Sequence, residues 1–436
     1  MRAFEEVVRI SPPRGKSWIT HLQEVMAKQI PRELSAVRFT AVAEEGEQVV
    51  CEVGVLEGAP SGTESVFAFV PGRAVPTKDF NVVMVVPTGV GAEVGGHAGD
   101  AAPAARLIGS VCDRLVTHPN VVNASDLNEM PANALYVEGS TLTRFLMGTV
   151  GLRPVRSNRI LFVVESHPDK SITDIGINMF NGARASCGYD GSKVLVLEQP
   201  FTMEVVFSPI SGRATGTLGR LDALISALKE HRREYDAVAI TSRIAGITPE
   251  DYMTYVRGNL EGTVNPVGGV EAMLTHSVSH CLNVPSAHSP QLLTRNMFGE
   301  DVGLVEPSLA AEPACIAFVQ CIFKGLHQSP RLVTSEAEMR HPDTLAAPDI
   351  ACLVTPDRCL GLPVLAALER GIRVIAVRDR YNVMKCDLSK LPWAPGQFWY
   401  ADGYLEAAGM LAAFRNGIAP ETVRRPLHKT PMGRVS

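Results

Sequence analysis

The chain has 436 residues, 46% of them hydrophobic and 20% charged, with a formal net charge of -5. That length exceeds one ordinary domain, and the composition is that of a globular protein able to bury a large core. Lys and Arg number 41 against 46 Asp and Glu, with no basic stripe, which argues against nucleic acid as a partner.

The first 78 residues read as a small α+β lobe. It comprises a strand (EEVVRIS), a helix (SWITHLQEVMAKQI) and two strands (AVRFTAVA, QVVCEVGVL) parted by the turn signal EEGEQ. Residues 79–158 begin with NVVMVVPTG, an apolar strand that runs into a glycine-rich loop. The helix AAPAARLIGSVCDRL follows, and then a short strand NVVNAS ending in polar residues. Residues 159–234 form a second α+β lobe: RILFVVE, the helix TDIGINMFNGARAS, the strands KVLVLEQ and TMEVVFSP, and the closing helix LGRLDALISALKEH. Residues 235–436 return to the strand, loop, helix, strand order twice, through YDAVAITSR to NVPSAHS and through DIACLVTPD to IRVIAVRD. Strands alternating with helices predict an α/β fold with a mostly parallel, doubly wound main sheet, carrying one or two small β-α-β-β lobes.

In such sheets ligands sit beyond the carboxyl ends of the strands. The loop PTGVGAEVGGHAGD has five glycines but no GK[ST], and its spacing does not match the dinucleotide fingerprint. Thr88, Gly89, Gly91, Gly95 and Gly96 are candidate ligand contacts, because glycine lets backbone N–H groups approach an anion. A packing turn is the competing reading. His97, inside the loop, is a candidate catalytic residue, and Gly268 with Gly269 repeats the glycine pattern at the next helix.

The richest segment follows the first helix. Asn123, Ser125, Asp126, Asn128 and Glu129 gather at a predicted strand end, and Glu138, Ser140 and Thr141 open a helix that carries Arg144. Asp126 or Glu129 suits a general base, His97 or His288 a general acid, and Arg144 with the glycine N–H groups an anion clamp. Helix capping by Asp126, Ser140 or Thr141 accounts for some of these residues in the alternative. His288 matches the position of Asp126 in the first unit.

His276 and His280 share a helix face at i, i+4, and with His288 they form a possible metal trio; HSVSH nevertheless lacks the glutamate of a metalloprotease motif. No other cofactor is indicated. Arg213, Thr215 and Thr217 in GRATGT suit either a phosphate site at a helix start or an exposed turn. A paired-cysteine racemase is disfavoured, since the strand-end positions hold Thr88, Ser125, Ser242 and Thr355. The absence of G-x-S-x-G removes the common serine-hydrolase reading.

The nine cysteines are scattered, odd in number and without CxxC, which points to a reducing compartment. The first residues lack a signal-peptide core, and no run of ~18 apolar residues occurs. The expectation is a cytoplasmic protein with no membrane span. It would be an enzyme acting on a small anionic metabolite by proton transfer, as isomerase, lyase or hydrolase. The alternatives are a non-catalytic metabolite-binding protein and a metal-dependent hydrolase, and a homo-oligomer is left open.

PTGVGAEVGGHAGDA, VVNASDLNEMPANALYVEGSTLTRFLMG, NPVGGVEAML and LGLPVLAALERGIRVIAVRDRYNVM together resemble a bacterial and cyanobacterial family, domain-of-unknown-function family 3326. The resemblance spans most of the chain and implies a single functional unit, but no particular reaction.

Overall fold

Strands Asn81–Met84, Ile160–Glu165 and Ala237–Ser242 are buried along their whole length, as strands covered on both faces must be. In the computed structural model they belong to two separate parallel sheets rather than to one. The structure describes the chain except residues 76, 98, 123–129, 259–263, 292–304, 306–308, 310–317, 428, 431 and 434–436.

The first parallel sheet has six strands in the order 398–401, 373–377, 350–356, 81–84, 114–117, 134–136. From Asn81–Met84 the chain winds outward to one side, and from Ile350–Pro356 to the other. The two loops diverge between these adjacent strands, which makes their carboxyl ends a topological switch point. The second parallel sheet has four strands in the order 286–290, 237–242, 160–165, 191–197, with its own switch between the middle two.

The strands of the two expected α+β lobes do not stay apart. Arg2–Ile10, Leu34–Glu45 and Gln48–Glu57 join Thr202–Phe207 and Ala214–Gly219 in one antiparallel sheet of six strands, completed by Leu360–Gly361. The hairpin between its second and third strands in chain order closes at Gly46-Glu47, where Gly46 takes the φ of +61° that a two-residue turn led by glycine requires. A two-stranded ribbon, Gly151–Arg153 with Arg331–Val333, completes the sheets among the described residues. The α/β class is thus observed, with two parallel sheets and one antiparallel sheet in place of a single main sheet.

Two local expectations are corrected. The strand after helix Ala102–Gly109 is Arg114–Thr117, not NVVNAS. Pro119 has no N–H to give a ladder and instead starts the helical turn Pro119–Val122. GRATGT is not a helix start, because Ala214–Gly219 is a strand. Its Gly216 is forced by packing: a Cβ there would lie 2.3 Å from the Cβ of Val270 on helix Gly268–Leu282. Among the described residues no helix is long and apolar enough to cross a membrane.

Candidate functional site

A cavity of about 260 Å³ opens where the three large sheets meet. The first parallel sheet supplies Val85, Pro87, Thr88, His118 and Thr355 from its strand ends, and the antiparallel sheet supplies the stretch Val37–Thr40. Helix Gly268–Leu282 contributes Glu271, Thr275 and His276, and the second parallel sheet contributes His288, Ser289 and Gln291. The cavity therefore sits at the carboxyl ends of both parallel sheets, where a doubly wound fold places its ligands.

His276 lines this cavity, and its Nδ1 is bonded to the carboxylate of Glu138. A carboxylate only accepts, so Nδ1 carries the proton. Nε2 has no partner among the described residues. Glu138 is 2% exposed and caps helix Gly139–Met147, accepting from Ser140 N (3.1 Å), Ser140 Oγ (2.6 Å) and Thr141 N (3.0 Å). Burial pushes the Glu138 carboxyl up, but the adjacent His276 ring and hydrogen bonds from His276 and Ser140 outweigh it and hold the group at about 2. An imidazole held by a buried carboxylate on one nitrogen and open on the other is the arrangement of a general base.

His118 stands at the end of strand Arg114–Thr117 and lines the same cavity. Its Nε2 accepts from Val86 N at 3.1 Å, which leaves the proton on Nδ1. Burial and the nearby His276 lower its pKa to about 4, against the pull of Glu138. The ring is therefore neutral near pH 7, a hydrogen-bond donor suited to polarising a carbonyl. Arg38 is the only Lys or Arg lining the cavity among the described residues. Its Nη2 donates to Thr88 O (3.2 Å) and its Nη1 lies 4.0 Å from Glu5. Burial and Arg213 lower its pKa to about 10, against Glu5 and Glu52.

His288 Nδ1 lies 2.9 Å from Glu271 Oε1 and Nε2 lies 2.9 Å from Ser242 Oγ. The order serine, histidine, carboxylate is that of a hydrolytic triad, but Ser242 is fully buried, does not line the cavity and also contacts Met203 Sδ at 3.0 Å. The string fixes the His288 ring; it does not present a nucleophile. With both nitrogens bonded, His288 has no proton in hand for a ligand.

The glycine loop is a packing device. A Cβ on Gly89 would lie 2.2 Å from Ala214 O, and one on Gly96 would lie 2.2 Å from Ala92 O. Gly89, Gly91 and Gly95 all adopt positive φ. Asn120 Nδ2 donates to Val86 O and Gly95 O, both at 2.8 Å, and Asp379 accepts from Glu93 N. Of the loop candidates only Thr88 lines the cavity, and of the later pair Gly268 does while Gly269 packs on Ala214. His97 is buried with Nδ1 2.7 Å from Tyr255 Oη, and it does not line the cavity.

Ser140 lines the cavity, whereas Thr141 and Arg144 do not; the Arg144 Nη2 donates to Asn283 Oδ1 at 2.8 Å. The N–H groups of Ser140 and Thr141 are already taken by Glu138, so this helix start offers no free anion cradle. Asn123, Ser125, Asp126, Asn128 and Glu129 lie outside the described residues. Arg213, a phosphate candidate in sequence, is fully buried against Glu5 and Glu52.

The metal trio does not assemble. His280 Nε2 is bonded to Glu64 O and its pKa is held at about 4 by burial and Arg144. His276 and His288 turn to different carboxylates. No group of three or more His, Cys, Asp or Glu among the described residues is placed to hold a metal.

The fold and cavity define an α/β protein with a largely apolar chamber at its strand ends, into which a few polar side chains are set. The chain belongs to the family described as a protein of unknown function (DUF3326), whose model matches residues 81–424. It is 32% identical over 349 residues to an uncharacterized lipoprotein of Synechococcus sp., a match spanning 78% of this chain and 91% of that protein. No solved structure matches.

Proposed function

We propose that the chain is an enzyme of the isomerase or lyase type that moves a proton on a small metabolite carrying a carbonyl and an anionic group. His276 Nε2 takes the proton from carbon, and Glu138 balances the charge that the ring then gains. The Nδ1–H of His118 steadies the oxyanion that forms at the carbonyl, and the Arg38 guanidinium holds the anionic group. The observation that carries this reading is the His276 ring, bonded to a buried carboxylate on Nδ1 and open on Nε2 at the strand-end cavity. Relative to the sequence-based assignment, the base moves from Asp126 or Glu129 to His276. The eight cysteines among the described residues are all free, which supports a reducing, cytoplasmic setting.

The test works whatever the product is. The protein is incubated in D2O with a panel of small carboxylates that bear a C–H beside a carbonyl, and loss of the proton signal is followed by NMR. The reading expects exchange on at least one member with wild type and none above background with His276→Asn. Equal exchange by the two proteins would overturn it.

A further inference from the structure

The cavity wall carries polar groups that the proton-transfer reading leaves unused. At the second parallel sheet, Ser289 is 1% exposed and Gln291 7%, and both line the cavity. Ser289 Oγ and Gln291 Oε1 have no hydrogen-bond partner among the described residues. The orientation of the Gln291 amide is fixed, because its Nε2 donates to Glu165 O at 2.9 Å; the orphan atom is therefore an acceptor. Glu271 adds a third acceptor, with Oε1 on His288 and Oε2 without a partner among the described residues. The buried Ser289 and Gln291 oxygens are costly to leave unpaired, so at a cavity wall they mark a place that a ligand's donor completes.

We propose that Glu271, Gln291 and Ser289 form a subsite for a primary ammonium group. All three accept hydrogen bonds, and Glu271 is the only Asp or Glu lining the cavity among the described residues, as Arg38 is its only Lys or Arg. Arg38 is paired towards Glu5 rather than Glu271, so the two opposite charges are not spent on each other. A wall with one cation and one separate anion is complementary to a zwitterion. The substrate class is then an amino acid or a close derivative, with its carboxylate on Arg38 and its ammonium at Glu271. This assignment rests on the reading of the cavity as a substrate site.

Calorimetric titration of the full chain with matched acids tests it. The probes are ω-amino acids from glycine to 6-aminohexanoate, together with the ω-hydroxy and unsubstituted acids of the same lengths. The best-fitting amino acid is expected to bind about tenfold or more tighter than its hydroxy and unsubstituted counterparts, the gain of a charge-assisted bond. Glu271→Gln should abolish that preference. Ser289→Ala should weaken amino-acid binding while leaving the melting temperature of the free protein unchanged or raised, because it deletes a buried hydroxyl that has no partner; a lowered melting temperature with unchanged binding would make Ser289 structural and count against the subsite. If the acids bind through Arg38, with binding lost in Arg38→Met but with no preference for the amine, the ammonium subsite is wrong and the substrate-cavity reading stands. If no acid in the series binds, both fall.

Discussion

His276 and Glu138 stand 138 residues apart in sequence, yet the imidazole Nδ1–H of the first donates to the buried carboxylate of the second. Glu138 also caps the helix that it opens, so the same group positions a ring and satisfies two backbone N–H groups. The two roles separate by mutation. Glu138→Gln keeps an acceptor for the cap but loses the charge beside His276; it should lower the rate of carbon-proton exchange by about 10²–10⁴-fold while the fold survives. Glu138→Ala removes both, leaving buried donors unpaired, and should cost about 3–5 kcal/mol in urea unfolding.

Arg213 is fully buried, with Nη2 2.6 Å from both carboxylate oxygens of Glu5 and 2.5 Å from Glu52. Burial alone would raise the Glu5 pKa, but Arg213 and Arg38 outweigh it and hold it below the ordinary value. Arg213→Met strands two carboxylates inside the protein and should destabilise it by roughly 3–5 kcal/mol. Arg213→Met combined with Glu5→Gln and Glu52→Gln should recover part of that loss. Urea midpoints for the two variants check both statements, and a single variant within about 0.5 kcal/mol of wild type would contradict the account of this cluster.

His118 and His280 are both held at about 4, chiefly by burial, against an ordinary value of 6.5. In the folded chain they stay neutral where the unfolded chain takes up protons. Their contribution to stability is thus complete above about pH 6.5 and is lost as the pH falls towards 4, at a slope of up to about 1.4 kcal/mol per pH unit for each ring. Urea midpoints should fall steadily between about pH 6.5 and 4.5, and less steeply in His280→Gln than in wild type. A flat profile would show that these rings charge without cost.

Gly89 and Gly96 are close to neighbouring carbonyl oxygens, with 2.2 Å left for a Cβ in each case. Alanine at either position should destabilise by about 2 kcal/mol or more, through backbone displacement at both and through the φ of +77° at Gly89. If Gly96→Ala instead removes ligand binding with no loss of stability, the loop is a ligand cradle and the packing account is wrong.

The strands that carry the cavity are largely legible in the sequence. NVVMVV, YDAVAITS and DIACLVTP are apolar runs of strand length ending in polar or glycine residues, and each ends at the cavity or beside it. Glu138 at a helix start and His276 on a helix both stand out in sequence, but in unrelated roles, since nothing local reports a contact across so much chain. His118 escapes a sequence reading because RLVT continues the apolar pattern of the helix before it, which hides the strand and its strand-end histidine. Arg38 escapes for a different reason: it lies on a strand of a lobe expected to be separate, which the pairing of Ala3 with Leu218 and the bonds of Arg213 to Glu5 and Glu52 bring against the second one. The glycines of the 89–96 loop read as an anion cradle because positive φ and close backbone approach have the same signature in sequence whether the neighbour is a ligand or the protein itself.

The most direct test of the account is the tautomer of His276. ¹⁵N NMR of histidine-labelled protein, about two pH units above the ordinary histidine value, with the signal assigned by its loss in His276→Asn, reports which ring nitrogen carries the proton. The account predicts Nδ1 protonated, with Nε2 bare and shifting when a small carboxylate enters the cavity. A proton on Nε2, or an Nε2 signal indifferent to every carboxylate that binds, would contradict it.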